Sequence, residues 1–283
     1  MDAFAFKSGD IDVACYRWKA TAAPVGILQI AHGMGEHALR YGPVAEFFTP
    51  AGFHVYANDH RGHGRTAKDK AGLGDFGAGG WDALVDDMMT LSARARAEAP
   101  GLPLVLLGHS MGSFAAQQYA LDRSKEIDGL ALSGSTAFDT LGIDGEREVD
   151  LTAINAAFEP ARTPFDWLSR DEKEVDAYIA DPLCGFGVNQ ASTRSMAMSL
   201  KRTADPASLA RIRKDLPIYI LAGDADPVNG KLEGLKLLAQ RYRTAGLRDV
   251  TERYYAGGRH EVFNETNRDE VMADLLGWVQ RIS

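Results

Sequence analysis

Cysteine is scarce: the 283 residues contain two, Cys15 and Cys184, far apart and outside any C-x-x-C arrangement. A disulfide framework is thereby excluded, and a reduced, cytoplasmic setting is the expectation. No apolar run approaches the roughly 20 residues of a membrane-spanning helix, and Met1 to Asp10 shows no basic segment leading into a long apolar one, so neither an integral span nor a secretory leader is expected. Positive charge is also in deficit. With 31 Lys and Arg against 39 Asp and Glu the net charge is −8, which argues against a nucleic-acid partner, because phosphate backbones are bound through a basic footprint. No polybasic cluster suggests a membrane anchor. Internal repeats and low-complexity tracts are missing too. What remains, 45% hydrophobic and 25% charged residues, is the composition of an ordinary globular protein.

Apolar runs alternate with amphipathic stretches along the chain. Ala3–Phe6 and Ile11–Trp18 read as a hairpin at a sheet edge. Val25–Ala31, Phe53–Ala57, Leu104–Leu107 (the apolar run that stops at Gly108), Ile127–Leu132, Leu216–Ala222 and Val250–Tyr255 read as strands. Helices are expected over Pro43–Ala51, Trp81–Ala99, the stretch after Ser110, Lys231–Thr244 and Arg268–Arg281, with the three-and-four spacing clearest at Leu84, Val85, Met88, Met89 and Leu91. Such alternation implies crossover connections and a mostly parallel sheet covered on both faces, an α/β architecture. Residues 136–209 break the pattern. Helical pieces are expected at Val149–Phe158, Thr163–Leu168 and Asp171–Ile179, with no strand of comparable strength. The chain therefore divides into a core, 1–135 and 210–283, and an inserted helical cap, 136–209.

Glycine- and charge-rich loops follow most of the strands, at the sheet edge where open α/β folds hold their sites. One of them carries Gly108-His109-Ser110-Met111-Gly112 between an apolar strand and an alanine-rich helix. The G-x-S-x-G spacing suits a sharp strand-turn-helix elbow, whose crowding demands small residues two before and two after the serine. Serine is a weak nucleophile near neutral pH, so it needs a base and a group that orients the base. In this architecture the chain order is serine, acid, histidine, and of the seven histidines His260 alone follows Ser110. Asp224 and Asp226 leave the strand before it. Asp226 is favoured, lying farther into the loop with Pro227 stiffening the turn, and Asp224 is expected to support the turn. Oxyanion donors are expected from the backbone N–H of Met111 and, in the loop Gly33-Met34-Gly35, of Met34.

Other features read as structural. Asp59 and Arg61 are expected to knit the loop around the site. His60 with His63, and His32 with His37, lack an accompanying ligand set, so no metal is expected. Phe158, Phe165, Trp167 and Met196 are candidates for lining an acyl pocket, and cap residues packing on one another is the competing reading.

With these residues placed, the chain resembles the monoacylglycerol lipase and lysophospholipase-like branch of the α/β-hydrolases, in a bacterial-type form. The resemblance spans His32-Gly33-Met34-Gly35-Glu36-His37 with Arg40-Tyr41, Asp59-His60-Arg61-Gly62-His63-Gly64, the serine elbow, Gly223-Asp224-Ala225-Asp226-Pro227-Val228, and Arg259-His260-Glu261 with Asn264-Glu265. Ser113 and Thr66 depart from the residues common there, glycine and serine. The resemblance implies an α/β-hydrolase fold, Ser110, Asp226 and His260 as triad, Met34 and Met111 as oxyanion donors, and no cofactor. It also implies a serine carboxylester hydrolase acting on single-chain lipid esters, with transient lipid-surface contact through the cap and an oligomeric state left open. Competing readings are a short-chain carboxylesterase, an amidase or aminopeptidase, an acyltransferase, and an inactive binding protein on the same fold. Dehalogenase and epoxide hydrolase chemistry is disfavoured because those enzymes place a carboxylate where Ser110 stands.

Overall fold

A computed structural model describes residues 1–282. Eight strands, β1 (Asp2–Ser8), β2 (Ile11–Trp18), β3 (Gly26–Ala31), β4 (Phe53–Asn58), β5 (Leu104–His109), β6 (Gly129–Ser133), β7 (Ile218–Gly223) and β8 (Val250–Tyr255), form one sheet. Their spatial order is β1-β2-β4-β3-β5-β6-β7-β8. The hairpin β1–β2 and the β2–β4 pair are antiparallel, and every pair from β4 to β8 is parallel. β3, β5, β6 and β7 are buried along their whole length, which is why they read as unbroken apolar runs.

The period-two alternation of β5 feeds two separate cores. Leu104 and Leu106 enter one layer with Trp81, Tyr119 and Tyr242, while Val105 and Leu107 enter the other with Phe48, Leu275 and Trp278. Helices α2 (Gly80–Glu98) and α3 (Met111–Arg123) cover the first face; α1 (Gly42–Phe48) packs on the second. Thr66, the departure noted above, bridges strands here: its hydroxyl accepts from Ala14 N–H and donates to the Asp59 carbonyl. Arg61 pairs with the buried Asp87 at 2.7 Å, and Asp59 accepts the N–H of Ala38 and Arg65, so both residues knit their loop as expected.

Between β6 and β7 lie α4 (Glu172–Ala180), α5 (Gln190–Leu200), α6 (Pro206–Leu209) and short 3-10 turns, with no strand among the described residues. Further on, α7 (Glu233–Thr244) packs on the first face and α8 (Arg268–Val279) on the second. The helical expectation at Thr163–Leu168 fails. That stretch is a chain of turns, because the Asp166 carboxylate captures the Thr163 hydroxyl and the N–H groups of Arg162 and Thr163, the local competition that takes Asp and Thr out of helices. At Val149–Phe158 only a 3-10 helix over Thr152–Phe158 forms. α5 lies where no helix was expected; Asn189 caps its N-terminus through Ser192 N–H at 2.8 Å. Its buried Met196 and Leu200 join the first core layer, whereas Leu151, Phe165, Trp167, Leu168, Val175 and Tyr178 make a small cluster of their own.

Candidate active site

Ser110 stands between β5 and α3 with φ of 52°, a left-handed conformation that costs energy for a residue with a Cβ. Its neighbours show why the turn closes. A Cβ at Gly112 would strike the carbonyls of Ala31 and His32, and one at Gly108 would strike the Gly112 carbonyl and Ser113. Ser110 N–H donates to the Ser133 carbonyl at 2.9 Å, tying the elbow to β6. Ser113, the second departure, donates its hydroxyl to the Ser110 carbonyl at 2.6 Å. The strained serine is thus held from three sides and remains partly exposed at the C-terminal edge of the parallel strands.

β7 and β8 deliver the other two expected residues. His260 Nδ1 lies 2.9 Å from Asp226 Oδ2, and both side chains are almost wholly buried. Asp226 Oδ1 accepts Val228 N–H at 2.9 Å, which fixes the carboxylate. Asp224 points elsewhere and accepts Gly257 N–H at 2.7 Å, the turn-supporting role expected of it. A carboxylate only accepts, so Nδ1 carries the hydrogen and Nε2 presents a lone pair. Nε2 is buried and has no hydrogen-bond partner among the described residues, Ser110 included; such bonds are often long before substrate binds. The imidazole is packed between His109 and Trp167, each with its ring centre 4.8 Å away.

Electrostatics favour a base. Burial disfavours the charged form of His260, but the charge and hydrogen bond of Asp226, with Glu261 and Glu36 behind it, outweigh burial and raise its pKa above the ordinary histidine value. His109, adjacent but hydrogen-bonded to no carboxylate among the described residues, is pushed down to about 3 by burial and by the His260 charge, against the weaker pull of Glu261. His60 and His63 are pushed down to about 3 and about 4, again chiefly by burial. They are neutral packing residues with rings tilted against His32, whose Nε2 accepts His60 N–H at 2.9 Å. Among the described residues, neither His60 with His63 nor His32 with His37 is joined as a pair by a third ligand. His37, Asp181 and Cys184 do bring ligand atoms within 4.8 Å of one another, with His37 Nε2 already paired to Asp181 at 2.9 Å.

The loop expected to supply an oxyanion donor is braced by Glu36, whose carboxylate accepts Gly33 N–H at 2.5 Å and the Tyr41 hydroxyl at 2.9 Å. Met34 N–H has no acceptor among the described residues. Met111 is the first residue of α3, where helix geometry leaves N–H groups free and the dipole is positive. Arg40 joins Glu36 to Glu261, the neighbour of His260, at 2.6 Å on each side. Burial opposes ionisation of Glu261, yet the Arg40 charge and hydrogen bonds hold its carboxyl down to about 2. Arg40, Glu36 and Glu261 appeared in the sequence only as parts of motifs; nothing local announced that 221 residues separate two partners of one ion pair.

A cavity of about 370 Å³ opens above Ser110, lined by Met34, Met111, Trp167 and Met196 with apolar side chains of the insertion such as Val149 and Ile154. Two of the four aromatic and methionine candidates therefore reach it. Phe165 instead packs on Tyr178, ring centres 5.1 Å apart, and Phe158 lies under the Arg259 guanidinium at 4.4 Å. Both are equally apolar, but the turns of the insertion direct them away. Leu141, Ile143, Leu151 and Val228, which line the cavity, carried no pattern that distinguishes them from core residues.

Comparison with known proteins agrees with this architecture. The family model described as "Serine aminopeptidase, S33" matches residues 22–267. A monoacylglycerol lipase of Mycolicibacterium smegmatis is 31% identical over 275 residues, 96% of this chain and 94% of that protein. The monoglyceride lipase of Homo sapiens is 28% identical, covering 94% of this chain and 86% of its own. Among solved structures, a thermostable carboxyl esterase from Bacillus coagulans in complex with glycerol superposes with a TM-score of 0.90 at 30% identity, covering 99% of this chain and 98% of that one. The chain is a carboxylic ester hydrolase of α/β-hydrolase fold and belongs to the family described as serine aminopeptidase, S33.

Proposed function

We propose that the protein is a serine hydrolase of single-chain lipid esters, monoacylglycerols or lysophospholipids, working through an acyl-enzyme. Ser110 Oγ attacks the ester carbonyl while His260 Nε2 takes its proton, and Asp226 orients the ring and stabilises the imidazolium. The N–H groups of Met34 and Met111 receive the oxyanion. His260 then returns the proton to the leaving alcohol, and water releases the fatty acid by the same steps in reverse. No cofactor enters these steps.

The observation that carries the substrate class is the lining of the cavity. Apart from Ser110 and the indole of Trp167, its lining side chains offer hydrocarbon and thioether surface only among the described residues. An aminopeptidase substrate would bring an ammonium group that needs a carboxylate, and no carboxylate lines this space, so the lipid ester reading is favoured over the amide one. One acyl chain suits about 370 Å³, near the lower end of ligand pockets. The relatives named as monoacylglycerol lipases fit this reading.

Residues 136–209 act as the cap over the chain. Lipid is met from water at a surface, through the cap, where Ile179 is 45% exposed; no helix among the described residues is long and apolar enough to cross a membrane. The two free cysteines suit a cytoplasmic setting. The test is fatty-acid release from monoacylglycerols and lysophospholipids of graded chain length. Activity rising with acyl length on monoacyl lipids supports the proposal, and negligible release from all of them beside rapid turnover of short esters overturns it.

A further inference from the structure

His260 sits in a loop outside the strands and helices, yet its orientation must be kept within a fraction of an ångström for Nδ1 to face Asp226 and Nε2 to face the serine. The core supplies part of this hold through Asp226 and the neighbouring His109 ring. The rest comes from the insertion. Between Asp166 and Arg170 the chain runs alongside the His260 loop. His260 N–H donates to the Trp167 carbonyl at 3.3 Å and Glu261 N–H to the Leu168 carbonyl at 2.8 Å.

Two side chains fasten these stretches together. Arg259 sends Nη1 to the carbonyls of Asp166 and Ser169, and its guanidinium covers the Phe158 ring. Glu265, fully buried, accepts Arg259 N–H at 2.8 Å, Arg170 N–H at 3.1 Å and Arg170 Nε at 2.8 Å. One carboxylate therefore ends the turn of the histidine loop and anchors the insertion. Ser169 closes the seam by donating its hydroxyl to the Asn264 carbonyl at 2.8 Å. Buried backbone donors demand partners, and here the partners of the His260 and Glu261 N–H groups belong to the insertion.

We propose that Arg259 and Glu265 are positioning residues for His260, clamping segment 166–170 to the base loop so that the insertion holds the base as well as covering the substrate. The proposal rests on the assignment of His260 as base. Loss of the clamp lets the imidazole drift off Asp226 and the serine, and misplacement by about 1 Å costs on the order of 10²-fold in rate. Substrate affinity is set mainly elsewhere in the cavity, so kcat carries the effect.

The test uses a short, soluble nitrophenyl ester, with rates normalised to active sites titrated by a fluorophosphonate. Arg259→Ala is expected to lower kcat by about 10²-fold with KM changed less than about threefold, and Arg259→Lys to recover part of the loss. Burial lowers the proton affinity of His260, and Asp226, Glu261 and Glu36 are the anions that raise it. A loosened Asp226 contact therefore also moves the acid limb of kcat/KM to lower pH, which a mere loss of folded enzyme would not do. Arg170→Met, at the accessible side of the clamp, is the milder second variant and shifts both readouts in the same direction; it carries the test if Arg259→Ala does not fold. Normalised kcat within about twofold of wild type, or a loss with an unmoved acid limb, overturns the proposal for either variant. Full turnover by Ser110→Ala is a separate result: it removes the base assignment itself, and the clamp with it.

Discussion

Beneath the cavity the residues are held by the sheet, and above it they are held by side chains. Ser110, Asp226 and His260 each leave the C-terminal end of a parallel strand, and the ladders of β5, β7 and β8 set their separation. The insertion has no ladder. Its turns are fixed by carboxylates, amides and hydroxyls, such as Asn155 accepting Trp167 N–H at 2.9 Å and Asp166 gathering Thr163. A rigid lower half suits chemistry that needs preorganised groups, and a side-chain-built upper half can change its lining without disturbing the sheet. Substitutions below the cavity, and in the clamp that ties segment 166–170 to the His260 loop, should therefore change kcat on every ester, and those of the cavity lining above it should change which ester is preferred.

The largest effects test the lower half. Asp226→Asn should lower kcat by a factor on the order of 10⁴, measured on short and long esters alike. Asp224→Asn, two residues away and bonded only to the turn, should stay within about threefold. If the two variants behaved alike, the distinction between orienting acid and turn support would break.

Chain-length selectivity tests the upper half. While the cavity fills, each added methylene should raise kcat/KM by at most about fourfold, the equivalent of roughly 0.8 kcal/mol. Ile154→Trp, which fills the cavity from the insertion, should move the preferred acyl length downward and leave short esters within about threefold. An equal loss on all chain lengths would show that this wall also supports the machinery.

The pH dependence separates the halves less sharply. As the proposed base, His260 must be neutral at Nε2 to accept the serine proton, and its pKa lies above the ordinary histidine value. Activity is therefore lost as pH falls through that raised pKa, and Asp226→Asn should move this acid limb to lower pH while Ile154→Trp leaves it in place. The smallest effect belongs to the exposed pair Arg194 and Glu146, 3.3 Å apart at the outer side of the insertion. Arg194→Ala should change stability by less than about 1 kcal/mol, read as the midpoint of urea unfolding.

The division between halves also explains what the sequence made legible. Strands buried on both faces announce themselves as apolar runs, so β3 to β7 were placed to within two residues, and chain order left one histidine and two acids for the site. Asp226 and Asp224 were separable because one lies deeper in the loop. In the insertion the deciding contacts join residues such as Arg170 and Glu265, 95 apart, and a turn decides whether an aromatic faces the cavity. Trp167 and Phe165 are two residues apart and equally apolar, yet only Trp167 lines the cavity. Periodicity cannot separate them, because the turns that carry them have no period.

The central claim is that Ser110 carries the acyl group of a monoacyl lipid. It is tested most directly by mixing enzyme with a monoacylglycerol, quenching within one turnover, and measuring the mass of the peptide that contains Ser110, beside fatty-acid release by Ser110→Ala. A mass gain equal to the fatty acid less water is expected on that peptide, with release by the variant at background. Continued release by Ser110→Ala, or an acyl adduct on another residue, would contradict it.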